Sequence, residues 1–180
     1  MSLRRVIYRV RQFYLALWAA AGAEDMDRAR SVLTPAQMAL FTGMRSSEQA
    51  HAMSVYRQLV EQGETFPDLL AAALLHDVGK SLSPLRLWER VLIVLARAIF
   101  PAQSRRWGNL SIPAVGLRGW RRAFIVAEQH PAWGAALAAE AGASPRTVAL
   151  IRQHQEPPSS ATEADIERLL SKLQAVDDNN

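Results

Sequence analysis

Cysteine is absent from the 180 residues. That removes disulfides, thiolate metal sites and thiol nucleophiles at once, and it fits a reducing compartment, so the expected location is the cytoplasm. The β-branched and aromatic enrichment of strands is also missing: aromatic residues make up 7 % of the chain, while 49 % is hydrophobic and rich in Ala and Leu. The expected fold is therefore all-α, a single helical bundle of about eight helices with room for one sizeable core. No apolar run approaches the roughly 18 to 20 residues of a membrane-spanning helix. Histidine is scarce, with four in the chain, and lysine scarcer, with two among 21 basic residues.

Acidic residues are missing locally. Residues 1–22 carry Arg4, Arg5, Arg9 and Arg11 with no acid, and residues 81–122 carry eight arginines against Glu89 alone. Since the chain's net charge is +4, these segments, at +4 and +7, leave about −7 on the rest. Two basic segments on an acidic body suit an anionic partner: a phosphorylated small molecule, nucleic acid or a membrane surface. Two solvated helix faces account for the charge equally well. No feature specifies a nucleic-acid partner.

Helix boundaries are marked by capping chemistry. Thr34 and Pro35 open one helix. Ser46 to Gln49 reads as a capping box for a helix ending at Gly63. Pro67 opens "PDLLAAALLHDVG", with a stop near Gly79. Further helices are expected from Ser83 to Pro101, over 120–129, from Pro131 to Gly142 with His130 as its cap, and from Ser144 and Pro145 onward. Thr162 and Asp165 box the last one. Residues 102–116 read as a loop. Val6, Ile7, Val10, Phe13, Tyr14 and Leu17 recur at helical spacing through the first arginines, giving an amphipathic first helix; a secretion signal is the alternative. Trp18 is assigned to the core. Residues 1–44 are expected to pack on a domain of residues 45–178, with a helical insertion near 81–119. That insertion reads as a hairpin packed on the bundle, or as a cover over the site, a homodimer interface or a membrane-surface patch.

The four histidines fall on four different helical segments: His51, His76, His130 and His154. Asp77 follows His76 directly, and Asp177 ends the last helix. Helical bundles build metal sites from inward side chains of facing helices. Neutral imidazole suits Zn, Fe, Mn, Co or Ni, and a carboxylate can bridge two ions. Any one of these residues alone would read as a cap or a hydrogen-bonded core group. Together they form the chain's one plausible transition-metal set.

This ordered series resembles the HD-domain superfamily of metal-dependent phosphohydrolases. "EQAHAMSVYRQL" is similar to that family's first-His helix, "AALLHDVGK" to its most typical motif, and "HPAWGAALAAEAG" and "ALIRQHQ" to the segments that supply the later histidines of its two-metal branch. The resemblance covers roughly 45–178. It implies two divalent ions, Fe or Mn foremost, with Zn, Ni, Co or Mg also accommodated. His51, His76, Asp77 and Asp177 would hold the first, and Asp77 would bridge to a second held by His130 and His154. Asp178 is an alternative to Asp177. Asp77 and Lys80 are the candidate catalytic residues. Lys80 would contact substrate phosphate, its other reading being a cation at a helix end. Glu48, one turn before His51, is either an outer support of that ligand or a first-turn acid. Gln155 stands where cyclic di-GMP hydrolases of the HD-GYP type have a second His, and their Gly-Tyr-Pro signature is absent. HD-type symmetrical diadenosine tetraphosphate hydrolases share the series more closely.

The function expected is hydrolysis of a nucleotide or another phosphorylated small molecule. The alternatives are a non-catalytic HD-fold module that binds a nucleotide or a protein, and a peripheral membrane protein that uses the Arg- and Trp-rich helices.

Overall fold

The computed structural model describes residues 22–109, 116–157 and 163–179. The expected amphipathic first helix, Trp18 and the Thr162 cap lie outside these residues. Nine α-helices and one 3-10 helix make up the described chain, with no strand among the described residues. In chain order they are α1 (Ala23–Val32), α2 (Pro35–Gly43), α3 (Ser46–Glu61), α4 (Pro67–Leu75), the 3-10 helix Val78–Leu82, α5 (Leu87–Ile99), α6 (Pro101–Gly108), α7 (Arg122–Glu140), α8 (Pro145–Gln153) and α9 (Ala164–Asp177). No described helix is long and apolar enough to cross a membrane.

Several boundaries follow local chemistry. Thr34 accepts from the Gln37 amide while Gln37 returns a bond to the Thr34 amide, the reciprocal box that satisfies two first-turn donors. Ser144 accepts from the Thr147 amide at 3.0 Å ahead of Pro145. The box expected from Ser46 to Gln49 sits one residue earlier. Arg45 is the cap, and its amide meets Glu48, while Gln49 reaches back to the carbonyls of Thr42 and Met44.

Four expectations are corrected. α1 forms where no helix was read, with Glu24 and Asp25 in its first turn and Arg30 in its last. Residues 101–108 are helix rather than loop: Pro101 opens α6, and its Trp107 packs edge-on against Phe124 and Trp120. α5 starts at Leu87 rather than Ser83, since Arg86 is the extended cap whose amide bonds Glu89. Finally, 120–129 and 131–142 are one helix, with Pro131 inside it. An interior proline removes one ladder bond and crowds the carbonyl four residues back, at about 3 kcal/mol. Here the crowded carbonyl, that of Ala127, lies 3.5 Å from an Arg97 donor, and the helix is held by packing against α6, α8 and the 3-10 helix.

Two apolar clusters form the interior. The larger joins α1, α2, α3, α4, α8 and α9 to the C-terminal half of α7, around Phe41, Met53, Leu59, Leu69, Leu74, Leu150 and Leu173. The smaller joins α5 and α6 to the N-terminal half of α7, around Ile93, Ala96, Phe124 and Val126. His130 sits on α7 between the two halves.

Candidate metal centre

The seam between these clusters gathers all four histidines. α4 runs apolar on every side, with Leu69–Leu75 all buried, so its end carries His76 and Asp77 into the interior. Their residual exposures are 1 % and 3 %. His130 from α7 and His154 from the end of α8 are equally buried, and His51 from α3 is partly so. The rings form a chain: His51 to His76 at 5.3 Å, His76 to His154 at 5.1 Å, and His154 to His130 at 5.2 Å between centroids.

Three of the rings are held the same way. Nδ1 of His76 donates to the Ala73 carbonyl at 2.9 Å, that of His130 to Val126 at 3.0 Å, and that of His154 to Ile151 at 2.8 Å. The helix carbonyls thereby occupy Nδ1 and turn Nε2 inward, the nitrogen that offers its lone pair once the ring is neutral. Nε2 of His76 and of His154 are buried and make no hydrogen bond. A buried polar atom without a partner costs about 1–3 kcal/mol, so two in one site call for a ligand.

The carboxylates lie among these nitrogens. Asp77 Oδ1 is 3.3 Å from His130 Nε2 and 4.0 Å from His154 Nε2, and its Oδ2 is 3.7 Å from His76 Nε2. Asp177 Oδ1 is 2.8 Å from His51 Nε2 and 3.5 Å from His76 Nε2. Thus Asp177, not the exposed Asp178, faces the cluster. Two ligand groups result, His51–His76–Asp77 and Asp77–His130–His154, each with its donor atoms within 4.8 Å of one another. They share Asp77. The donor set, imidazole nitrogens plus carboxylate oxygens and no thiolate, can hold a divalent metal ion.

The electrostatics point the same way. Burial alone would lift the Asp77 pKa, but Lys80, His76 and His130 outweigh it and hold the carboxyl well below its ordinary range. Burial likewise opposes ionisation of Asp177, and His76 and His51 overcome it. Burial disfavours a proton on His76, yet Asp77 and Asp177 raise its pKa to about 9. Burial and the charge of Lys80 lower His130. Burial, with His76 and His130 nearby, lowers His154 to about 3. The two carboxylates therefore stay ionised and draw positive charge inward. Lys80, with Nζ 2.5 Å from Asp77 Oδ2, and the His76 proton supply it.

A close backbone contact sets the spacing. Gly79 lies so near α7 that a Cβ there would fall 2.1 Å from the His130 carbonyl oxygen and 2.7 Å from the Gly134 nitrogen. Its φ is not in the left-handed region. Gly79 is therefore required by proximity rather than as a helix stop; α4 has already ended at Leu75.

A cleft of about 180 Å³ leads from the surface to His130, walled by Lys80, Arg90, Val94, Arg97 and Gln155. Arg90 and Arg97 were not singled out from sequence. Gln155 Nε2 lies 3.5 Å from His130 Nε2, and only the fold reveals that neighbour. Glu48 does not support His51; it is buried and binds Arg90 at 2.8 Å. Comparisons of the chain with protein-family models, curated proteins and solved structures give no match.

Proposed function

We propose that this cluster holds two divalent transition-metal ions, Fe or Mn foremost, and that the protein is a metal-dependent phosphohydrolase acting on a nucleotide or another phosphorylated small molecule, as the resemblance to the HD-domain superfamily implies. The observation that carries the reading is the pair of ligand groups joined through Asp77, with two orphaned buried Nε2 atoms aimed between them. His51, His76, Asp77 and Asp177 would hold one ion, and Asp77, His130 and His154 the other. Ions so placed supply Lewis-acid charge that polarises a phosphoryl group and makes water more acidic.

The chain's own residues do the rest. The carbonyls of Ala73, Val126 and Ile151 keep the imidazoles aimed. Burial of the cluster keeps its dielectric low, which strengthens each charge interaction within it. Lys80, Arg90 and Arg97 line the approach with cations suited to phosphate oxygens. Lys80, already paired with Asp77, is the nearest of them to the ligands.

Protein purified without chelators is expected to contain metal, and a panel of phosphorylated metabolites with added Mn²⁺ is expected to yield inorganic phosphate or a nucleotide product. Elemental analysis that finds no metal, even after reconstitution with Mn²⁺ or Fe²⁺, rejects the reading. Full metal content with no hydrolysis of any panel member supports the binding module instead.

A further inference from the structure

α5 buries Ile93 and Ala96 in the smaller core but turns its larger apolar face outward. Leu87, Trp88, Val91, Val94, Leu95 and Ile99 form its outward face, each 44–63 % exposed. Its charged residues point to the body of the protein, where Glu89 meets Arg122 at 2.5 Å, Arg90 meets Glu48 at 2.8 Å and Arg97 meets Glu128 at 2.9 Å. Packing of the bundle thus consumes the polar face and leaves a row of large apolar side chains over the helix's 13 residues. Phe100 at its end and Trp120 nearby in the same subassembly are also more than half exposed. A contiguous exposed apolar face of this kind marks a docking surface.

Charge selects the occupant. The segment 81–122 has eight arginines and one acid, and that acid, Glu89, is buried against Arg122. Arg105, Arg106 and Arg118 are exposed and make no ion pair among the described residues; Arg121 stacks over the Trp120 ring at 5.3 Å. Two copies joined through this subassembly would bring like charge to like. An anionic surface attracts it. Trp and Phe beside arginines suit the boundary between lipid headgroups and acyl chains.

We propose that the outward face of α5, with the arginines of α6 and of 118–121, docks on an anionic lipid bilayer. Val94 belongs both to this face and to the wall of the cleft that leads to His130, so docking sets the cleft's rim at the lipid surface. The inference stands on surface features alone and is independent of metal binding.

The full chain is tested by co-sedimentation with phosphatidylcholine vesicles, with and without phosphatidylglycerol, at low and high salt. Binding is expected to require phosphatidylglycerol and to weaken as salt rises. The double variant Val91→Glu/Leu95→Glu is expected to lose at least about tenfold in binding, because it places two charges on the outward face that would enter the bilayer. Circular dichroism checks its fold, and Trp88→Ser serves as a second, milder probe. Arg105→Gln/Arg106→Gln should reduce the dependence on phosphatidylglycerol, and Asp77→Asn should bind as the unmodified chain does. The proposal is overturned by absence of binding to anionic vesicles. Binding that Val91→Glu/Leu95→Glu and Trp88→Ser both leave intact also overturns it. So does a concentration-dependent dimer, seen by light scattering, that the double variant abolishes while vesicles are ignored.

Discussion

Gly79→Ala is the sharpest perturbation of the arrangement. The new methyl carbon would lie 2.1 Å from the His130 oxygen, 1.3 Å short of the 3.4 Å at which ordinary contact begins, and both of its closest neighbours are backbone atoms of α7. A flexible side chain could turn aside, but a packed helix has to move. Overpacking of this kind costs about 1–3 kcal/mol, and rigid backbone neighbours put this case at the upper end. For a domain of this size about 3 kcal/mol corresponds to a melting temperature lower by roughly 6–12 °C. The displacement also has a direction. It drives α7 from the 3-10 helix and so parts His130 from Asp77, now 3.3 Å apart. His51 and His76 lie on other elements, so one of two metal equivalents should be lost and the other kept. Gly134→Ala meets its nearest atom at 3.1 Å and replaces a glycine within a helix, so it should be nearly neutral. Gly43→Ala meets nothing within 4 Å and should match or exceed the parent in stability. Thermal melts with elemental analysis of the three variants give the readout. A Gly79→Ala protein that melts within about 2 °C of the parent and retains all its metal refutes the reasoning.

Asp77→Asn keeps the side chain's shape but removes the charge shared by both ligand groups; at an effective dielectric of about 20, one such charge near 4 Å from a divalent ion is worth about 8 kcal/mol before solvent competition. It should empty at least one site and cut hydrolysis by orders of magnitude while circular dichroism is unchanged; full metal and activity would exclude the bridge. His130→Ala should lower metal content by about one equivalent and spare the other, as elemental analysis will show. Metal uptake should also depend on pH. His76 is protonated below about 9, and a cation must displace that proton, so apparent affinity should rise roughly tenfold per unit as pH climbs toward 9 and then level off. His154, with its pKa near 3, is already neutral and releases no proton; calorimetric titrations in which affinity is flat between neutrality and pH 9 would contradict the assignment of His76.

What the sequence made legible was local. Thr34, Pro67 and Ser144 announce their helices because a cap acts within one turn. The series His51, His76–Asp77, His130, His154, Asp177 was legible as a set, and the fold brings all six together. Tertiary context decided the rest. Pro131 read as a helix start because proline favours a first turn, yet packing against α6, α8 and the 3-10 helix carries α7 through it. Gly79 read as a stop, and nothing local reports that another backbone passes beside it. A helix from about Ser83 to Pro101 was expected, but the local sequence does not say which face of it turns inward. Partners 31 to 42 residues away settled that: Glu48 for Arg90, Arg122 for Glu89 and Glu128 for Arg97.

The tethers from Nδ1 to the backbone have a consequence for how such a centre can drift over generations. Each of the three tethers lies within one turn of its own chain segment, so a ring travels with its helix as a unit. Ring aim and distance between units are therefore separate variables. A volume change at Val78 or Ile151, whose side chains line the contact at Gly134, alters the distance without altering the aim. Successive mutations can in this way widen or narrow the cage through intermediates that all retain correctly presented nitrogens, so on the metal reading proposed above a change of ion preference would not have to pass through a broken site.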